Sequence, residues 1–184
     1  SVSSPTYVLD PTKFPNAADL KKNAALGRLT VTNASGDTDG DGDFDRIDVF
    51  GARSFSIWTT AGELVWDSGD QFERFFEDAR NGYRSIFNAN NSSNTVDNRS
   101  DNKGPEPEGV AVGQVAGRAF AFIGLERVGG VMAYDVTVPT SPVFAAYANT
   151  RTLPPAAVGG DRGPEGIEFV AAEASPNGKP LVLV

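Results

Sequence analysis

Gly104-Pro105-Glu106-Pro107-Glu108-Gly109-Val110 returns further along the chain as Gly163-Pro164-Glu165-Gly166-Ile167, with Glu165 standing 57 residues after Glu108. Each copy is followed by an apolar run, a turn and a second run. After the first, Gly117-Arg118 turns into Ala119 to Leu125. After the second, Asn177-Gly178-Lys179 turns into Pro180 to Val184. Two further strand-like runs lie between the copies, Gly130 to Val136 and Pro142 to Tyr147, parted by the turn Val138-Pro139-Thr140-Ser141. Four short antiparallel strands per period of about 40–60 residues is the pattern of a propeller blade. The region ahead fits the same plan, with alternating runs at Arg28 to Asn33, Arg46 to Gly51, Ser54 to Thr60 and Glu63 to Asp67. The expected fold class is therefore all-β, a β-propeller fragment of about two and a half four-stranded antiparallel blades with short helical insertions. Blade one is expected over 26–68, a helix and polar loop insertion over 69–104, blade two over 108–149 and the start of blade three over 165–184.

Residues 16–26 and 70–80 read as helices. In the second, Phe72, Phe75, Phe76 and Ala79 fall at i, i+3, i+4 and i+7, a stripe for packing on a sheet. Trp58 and Trp66, each in a strand pattern, are expected in the core between blades. Residues 88–104 are crowded with Asn, Ser and Asp and read as a long loop. Asn33-Ala34-Ser35, Asn91-Ser92-Ser93 and Asn98-Arg99-Ser100 match the N-glycosylation sequon, a pattern that polar loops also produce by chance.

The strongest chemical motif is Asp37-Thr38-Asp39-Gly40-Asp41-Gly42-Asp43-Phe44-Asp45-Arg46-Ile47-Asp48. Carboxylates stand at loop positions 1, 3, 5, 7, 9 and 12 with glycine at position 6, the ligand spacing of an EF-hand calcium loop. Ca²⁺ takes six to eight oxygens, and alternate residues of a tight turn point theirs inward. Asp48 stands where a bidentate Glu is usual. The flanking runs read as strands rather than helices, so the loop is expected to be a calcium staple between two strands, with Asp37, Asp39, Asp41, Asp43, Asp45 and Asp48 as ligands.

Bulk properties narrow the function. The 184 residues carry a net charge of −8 and a pI near 4.5, which argues against a nucleic-acid partner and favours metal binding. No histidine and no cysteine are present. Ser-His-Asp chemistry and His-ligated zinc are excluded within the chain. No apolar run approaches 18 residues, so no membrane span is expected. Weak calcium loops belong outside the cytosol, so a secreted or cell-surface location is expected. Pro180 to Val184 reads as a strand cut in mid-course, and the expectation is a piece of a larger protein.

Glu-Gly followed by Val110-Ala111-Val112, then Phe120 to Glu126, resembles a blade of the β-propeller phytases. The fuller string is similar to a family of secreted bacterial proteins named choice-of-anchor I. The matching stretches are Tyr7 to Pro11, Gly51 to Trp58, Asp101 to Gly109, Phe122 to Gly130 and Ser175 to Leu181. Some members of that family are labelled alkaline-phosphatase-like. The phytase resemblance implies that Glu108, Glu126 and Glu165 line a calcium cluster, with Glu106 as a fourth metal candidate. It also implies that Arg127, Lys103 and Arg53 clamp phosphate, the metals neutralising phosphate oxygens and activating water. Two departures bear on it: Glu126 is followed by Arg127-Val128-Gly129-Gly130 rather than by further acids, and a closed propeller needs at least four blades.

Three readings stay open. One is a calcium-binding secreted or surface module that is non-catalytic as it stands and self-associates through open blade edges. Another is a calcium-dependent phosphomonoesterase acting on a phosphorylated small molecule, its site completed by the rest of a longer protein. The third is a nucleotidase-type exported enzyme whose catalytic domain is appended elsewhere.

Overall fold

β4 (Arg118–Leu125) organises the larger part of the molecule because its two faces bury different partners. In the computed structural model, which describes every residue except Ala52, the chain forms two compact units. One comprises residues 1–51 with Ser100–Lys103, and the other comprises Arg53–Arg99 with Gly104–Val184. The chain is mostly β, with three antiparallel sheets and few helices among the described residues.

In the larger unit, β3 (Pro107–Val115), β4, β5 (Val131–Asp135) and β6 (Val143–Ala148) form one antiparallel sheet in sequential order. These are the four strands expected between 108 and 149. Ala116 and Gly117, both at positive φ, join β3 to β4 with Val115 opposite Arg118. Two residues at positive φ match the right-handed twist of the strands they join. One face of β4 buries Ala121, Ile123 and Leu125. Against that side packs a cluster containing Met132 and Tyr134 of β5 and Phe72 and Phe76 of α2 (Gln71–Glu77). The expected aromatic stripe is thus real at Phe72 and Phe76, which are fully buried, while Ala79 falls in a following 3₁₀ turn, Ala79–Asn81.

The opposite face of β4 receives β7 (Glu168–Val170), which pairs with β8 (Leu181–Leu183). Phe122 stacks on Phe169 with ring centres 5.8 Å apart. Glycine makes this approach possible. A Cβ on Gly113 would stand 2.2 Å from the Phe169 ring, and one on Gly124 would stand 2.7 Å from Ile167 Cδ1.

The long polar segment after α2 is held by a buried cation. Arg151, 4% exposed, donates to the carbonyls of Val128, Asn90 and Ser93 and to Asn94 Oδ1 at 2.6–3.0 Å. The segment folds because one guanidinium satisfies carbonyls that burial would otherwise orphan.

Residues 26–68 do not form one four-stranded sheet among the described residues. Ser54–Thr60 and Glu63–Asp67 become the hairpin β1 (Ser56–Trp58) and β2 (Leu64–Asp67) of the larger unit. The runs at Arg28 to Asn33 and Arg46 to Gly51 fall in the smaller unit, where they share a single antiparallel bridge, Val31–Val49. The helix expected over 16–26 shortens to one turn, α1 (Ala17–Leu20). Apolar alternation here serves a small core rather than a ladder: Leu29, Val31 and Ile47 pack around Val2, Tyr7, Leu9 and Phe44, while Val49 stays exposed. Tyr7 stacks on Phe44 with ring centres 4.1 Å apart.

The two tryptophans part company. Trp66 packs against Phe55 and Tyr134, whereas Trp58, expected in the core, is 58% exposed beside its cross-strand partner Leu64. β1 has only three residues, and alternation sends Trp58 to the face opposite Ile57. Trp58→Ser is therefore expected to move the urea midpoint little, costing about 0.5 kcal/mol from the lost cross-strand pair.

Candidate functional site

The acidic loop is closed at its base by the Gly36 carbonyl, which accepts from the backbone N–H groups of Asp45 (2.9 Å) and Arg46 (3.1 Å). Gly36 is required there: its φ is +103°, and a Cβ would stand 2.5 Å from the Arg46 carbonyl oxygen. Inside the loop, side chains hold the turn. Asp37 accepts from the N–H groups of Gly40 (2.7 Å) and Gly42 (3.1 Å), and Asp45 Oδ2 accepts from Thr38 N–H (2.8 Å) and Oγ1 (2.7 Å). These bonds, Thr38 Oγ1 first, hold the Asp45 carboxyl below the usual carboxylate range.

Carboxylate oxygens of Asp37, Asp39 and Asp45 lie within 4.8 Å of one another, and so do those of Asp10, Asp43 and Asp45. Asp45 belongs to both groups. Asp10 has no signal in the loop's spacing. It arrives because Leu9 bridges Phe44 in parallel register and Asp10 N–H donates to the Phe44 carbonyl at 3.1 Å. Asp41 and Asp48 stand outside both groups. Asp41 is exposed. Asp48 pairs with Arg46 at 2.7 Å and accepts from Ser35 Oγ at 2.7 Å, and Arg46 above all pulls its carboxyl down to about 2.

Asp43 tests whether this cradle suits a cation. Its Oδ1 is buried without a hydrogen-bond partner. Burial, then the charges of Asp41, Asp10, Asp45 and Asp39, push its carboxyl up. Unpartnered anionic oxygen among further carboxylates is the donor chemistry of a hard dication such as Ca²⁺. The residues that would hold it are Asp37, Asp39, Asp43 and Asp45, with Asp10 from outside the loop.

The Pro-Glu-Gly residues are placed differently. Glu106, 3% exposed, lies between Arg99, which donates to Oε1, and Arg127, whose Nε is 3.6 Å from Oε2. Arg127 also pairs with Glu126 at 2.9 Å. The Glu126 carboxyl is raised, first by burial and then by the neighbouring Glu108 and Glu106 carboxylates, with Arg127 opposing. Glu165 is exposed and lines a cleft of about 350 Å³ with Arg162, Asp161, Thr150 and Asn149. Arg53 pairs with Glu73 at 2.8 Å. Lys103 lies with the smaller unit. Of the residues named from the resemblance, then, the structure brings together Glu106, Glu108, Glu126 and Arg127.

The family model of the choice-of-anchor I domain matches residues 3–139. The chain belongs to this family. Among its relatives, Gigasin-3a of Magallana gigas is 31% identical over 180 residues, covering 90% of this chain and 62% of that protein. The mesenchyme-specific cell surface glycoprotein of Strongylocentrotus purpuratus is 33% identical over 116 residues, covering 55% of this chain and 14% of that protein. The chain thus spans less than two thirds of either relative's length. Both are animal proteins, so membership in the choice-of-anchor I family does not bring with it the bacterial source expected from the sequence. No solved structure matches the chain. No helix among the described residues is long and apolar enough to cross a membrane.

Proposed function

We propose that the chain is a calcium-stabilised extracellular or cell-surface module built from propeller-type sheets, with no turnover of its own. The observation that carries the calcium reading is the buried, unpartnered Oδ1 of Asp43 beside the carboxylates of Asp10 and Asp45, the last of which is shared with Asp37 and Asp39. Propeller architecture is supported by the sequential order β3-β4-β5-β6 and by the packing on it of β7, which pairs with β8. On this reading 108–149 is one blade and 165–184 opens the next. Surface location is supported by the relative named a cell surface glycoprotein and by the millimolar calcium that such loops meet outside cells. The edge strand β6, with Val143 and Phe144 exposed, is where a second copy or a further strand would add.

A phosphomonoesterase completed by a longer protein is the second reading, favoured by the Glu108–Glu126 pair. Two carboxylates driven together this way are relieved by a metal between them. Against it, the proposed phosphate clamps already hold carboxylates, Arg127 those of Glu106 and Glu126 and Arg53 that of Glu73. Calorimetric titration with Ca²⁺, beside p-nitrophenyl phosphate turnover, separates the two. The module predicts saturable binding that is lost in Asp45→Asn and no calcium-dependent turnover. Turnover abolished by Glu108→Gln would replace the module with the enzyme, and absence of any calcium binding would remove both.

A further inference from the structure

Four Asn-x-Ser triplets match the N-glycosylation sequon, at Asn33, Asn90, Asn91 and Asn98, and the fold treats them unequally. Asn90 is half-buried with its side-chain Oδ1 wholly enclosed. Asn91 is half-buried, its carbonyl accepts Arg162 Nη1 at 2.5 Å, and its side-chain nitrogen would stand 3.3 Å from a Cβ on Gly163. On either side of it the buried Arg151 grips the carbonyls of Asn90 (2.7 Å) and Ser93 (2.6 Å). A glycan there would have to leave through the packing that holds this segment. Asn98 is half-buried too, and its Oδ1 accepts the Asn90 N–H at 2.9 Å. An N-glycan would add bulk to the amide that makes this bond.

Asn33 is different. It is exposed, sits on a bend just after the Val31–Val49 bridge, and its side chain makes no hydrogen bond among the described residues. Its neighbours close the bend without it. Ala34 N–H donates to Thr32 Oγ1 at 3.0 Å, and Ser35 Oγ donates to Asp48 Oδ2 at 2.7 Å. A bulky, solubilising group on Asn33 therefore displaces nothing and meets only solvent.

We propose that Asn33 is an N-glycan acceptor of this chain and that Asn90, Asn91 and Asn98 are not. This rests on the reading of the chain as an exported module, because the modification belongs to the secretory pathway. In the transfer, Asn33 Nδ2 forms a bond to the anomeric carbon of a lipid-diphosphate-linked oligosaccharide. The carbon–oxygen bond to the diphosphate breaks, the lipid diphosphate leaves, and the amide gives up one proton.

The test is expression of the full chain in animal cells behind a supplied secretion signal, with intact mass and an N-glycosidase-sensitive gel shift read in both medium and lysate. The wild type should show a single glycosidase-sensitive species. The shift should vanish in Asn33→Gln and in Ser35→Ala, and persist in Ser35→Thr, Asn90→Gln, Asn91→Gln and Asn98→Gln. An unshifted wild type, or a shift that survives Asn33→Gln and Ser35→Ala, overturns the assignment. Because the signal is supplied, a chain that never reaches the surface on its own would count against the exported reading alone.

Discussion

Adding about 10 mM Ca²⁺ is expected to raise the chain's thermal midpoint by roughly 5–15 °C, and chelator should reverse the rise completely. Loops of this kind outside cells bind with Kd of about 10⁻⁴–10⁻³ M. At 10 mM that is some 10–100 times Kd, worth about 1.4–2.7 kcal/mol through binding to the folded state. The smaller unit, which owns the loop, is a short chain with a little core, so each kcal/mol moves its midpoint by several degrees. Asp45→Asn should abolish the response, since both carboxylate groups share that residue. Asp43→Asn should act in two directions. Without calcium it removes a carboxyl that burial and its neighbours disfavour, so the variant should melt above wild type. With calcium it removes a ligand, so the order should invert. The pH dependence carries the same sign. Asp43 takes up a proton more readily folded than unfolded, so in chelator its contribution is present at acid pH and lost as pH rises through its raised value. Scanning calorimetry in calcium and in chelator, across pH, reads all three. A wild-type midpoint indifferent to calcium, or a rise undiminished in Asp45→Asn, would sink the calcium reading.

The parts of the molecule legible in the sequence are those held by short-range patterns. β3 to β6 could be read because alternation and short turns act over a few residues, and the repeated Glu-Gly announced β7 and β8. The stripe at Phe72 and Phe76 was readable for the same reason. What escaped depends on contacts distant in sequence. Residues Arg28 to Asn33 alternate like a strand, yet they contribute one bridge because their apolar side chains close a core around Val2, Tyr7 and Leu9. Asp10 joins the acidic loop only through the parallel bridge of Leu9 to Phe44, which no spacing rule reaches. Asp48 fits the ligand pattern by position, but Arg46 and, from outside the loop, Ser35 take up its oxygens. Glu106 shows the same limit from the other side: its motif suggests a metal ligand, and only the fold reveals the two arginines that face it.

Glu106→Ala is expected to cost about 3 kcal/mol, the range for breaking a buried ion pair, whether or not calcium is present. The carboxylate is almost wholly enclosed, and its removal leaves Arg99 facing no partner on that side and Arg127 with Glu126 alone. Partial exposure of the two arginines, 19% and 30%, keeps the loss from growing larger. Glu106→Gln should lose less, because an amide oxygen still accepts from one guanidinium while the charge is gone. The damage should extend to the join between β4 and the polar segment, since the Glu106 carbonyl also accepts the Glu126 N–H at 2.8 Å and Arg99 N–H reaches the Asn88 carbonyl. Removing Arg99 together with Glu106 should recover part of the loss, since the double variant no longer buries an unpaired charge. Denaturant unfolding of the single and double variants, each in calcium and in chelator, separates an internal ion pair from a metal ligand. A penalty seen only in calcium would make Glu106 a metal ligand after all, and would revive the calcium cluster that the phytase resemblance implies.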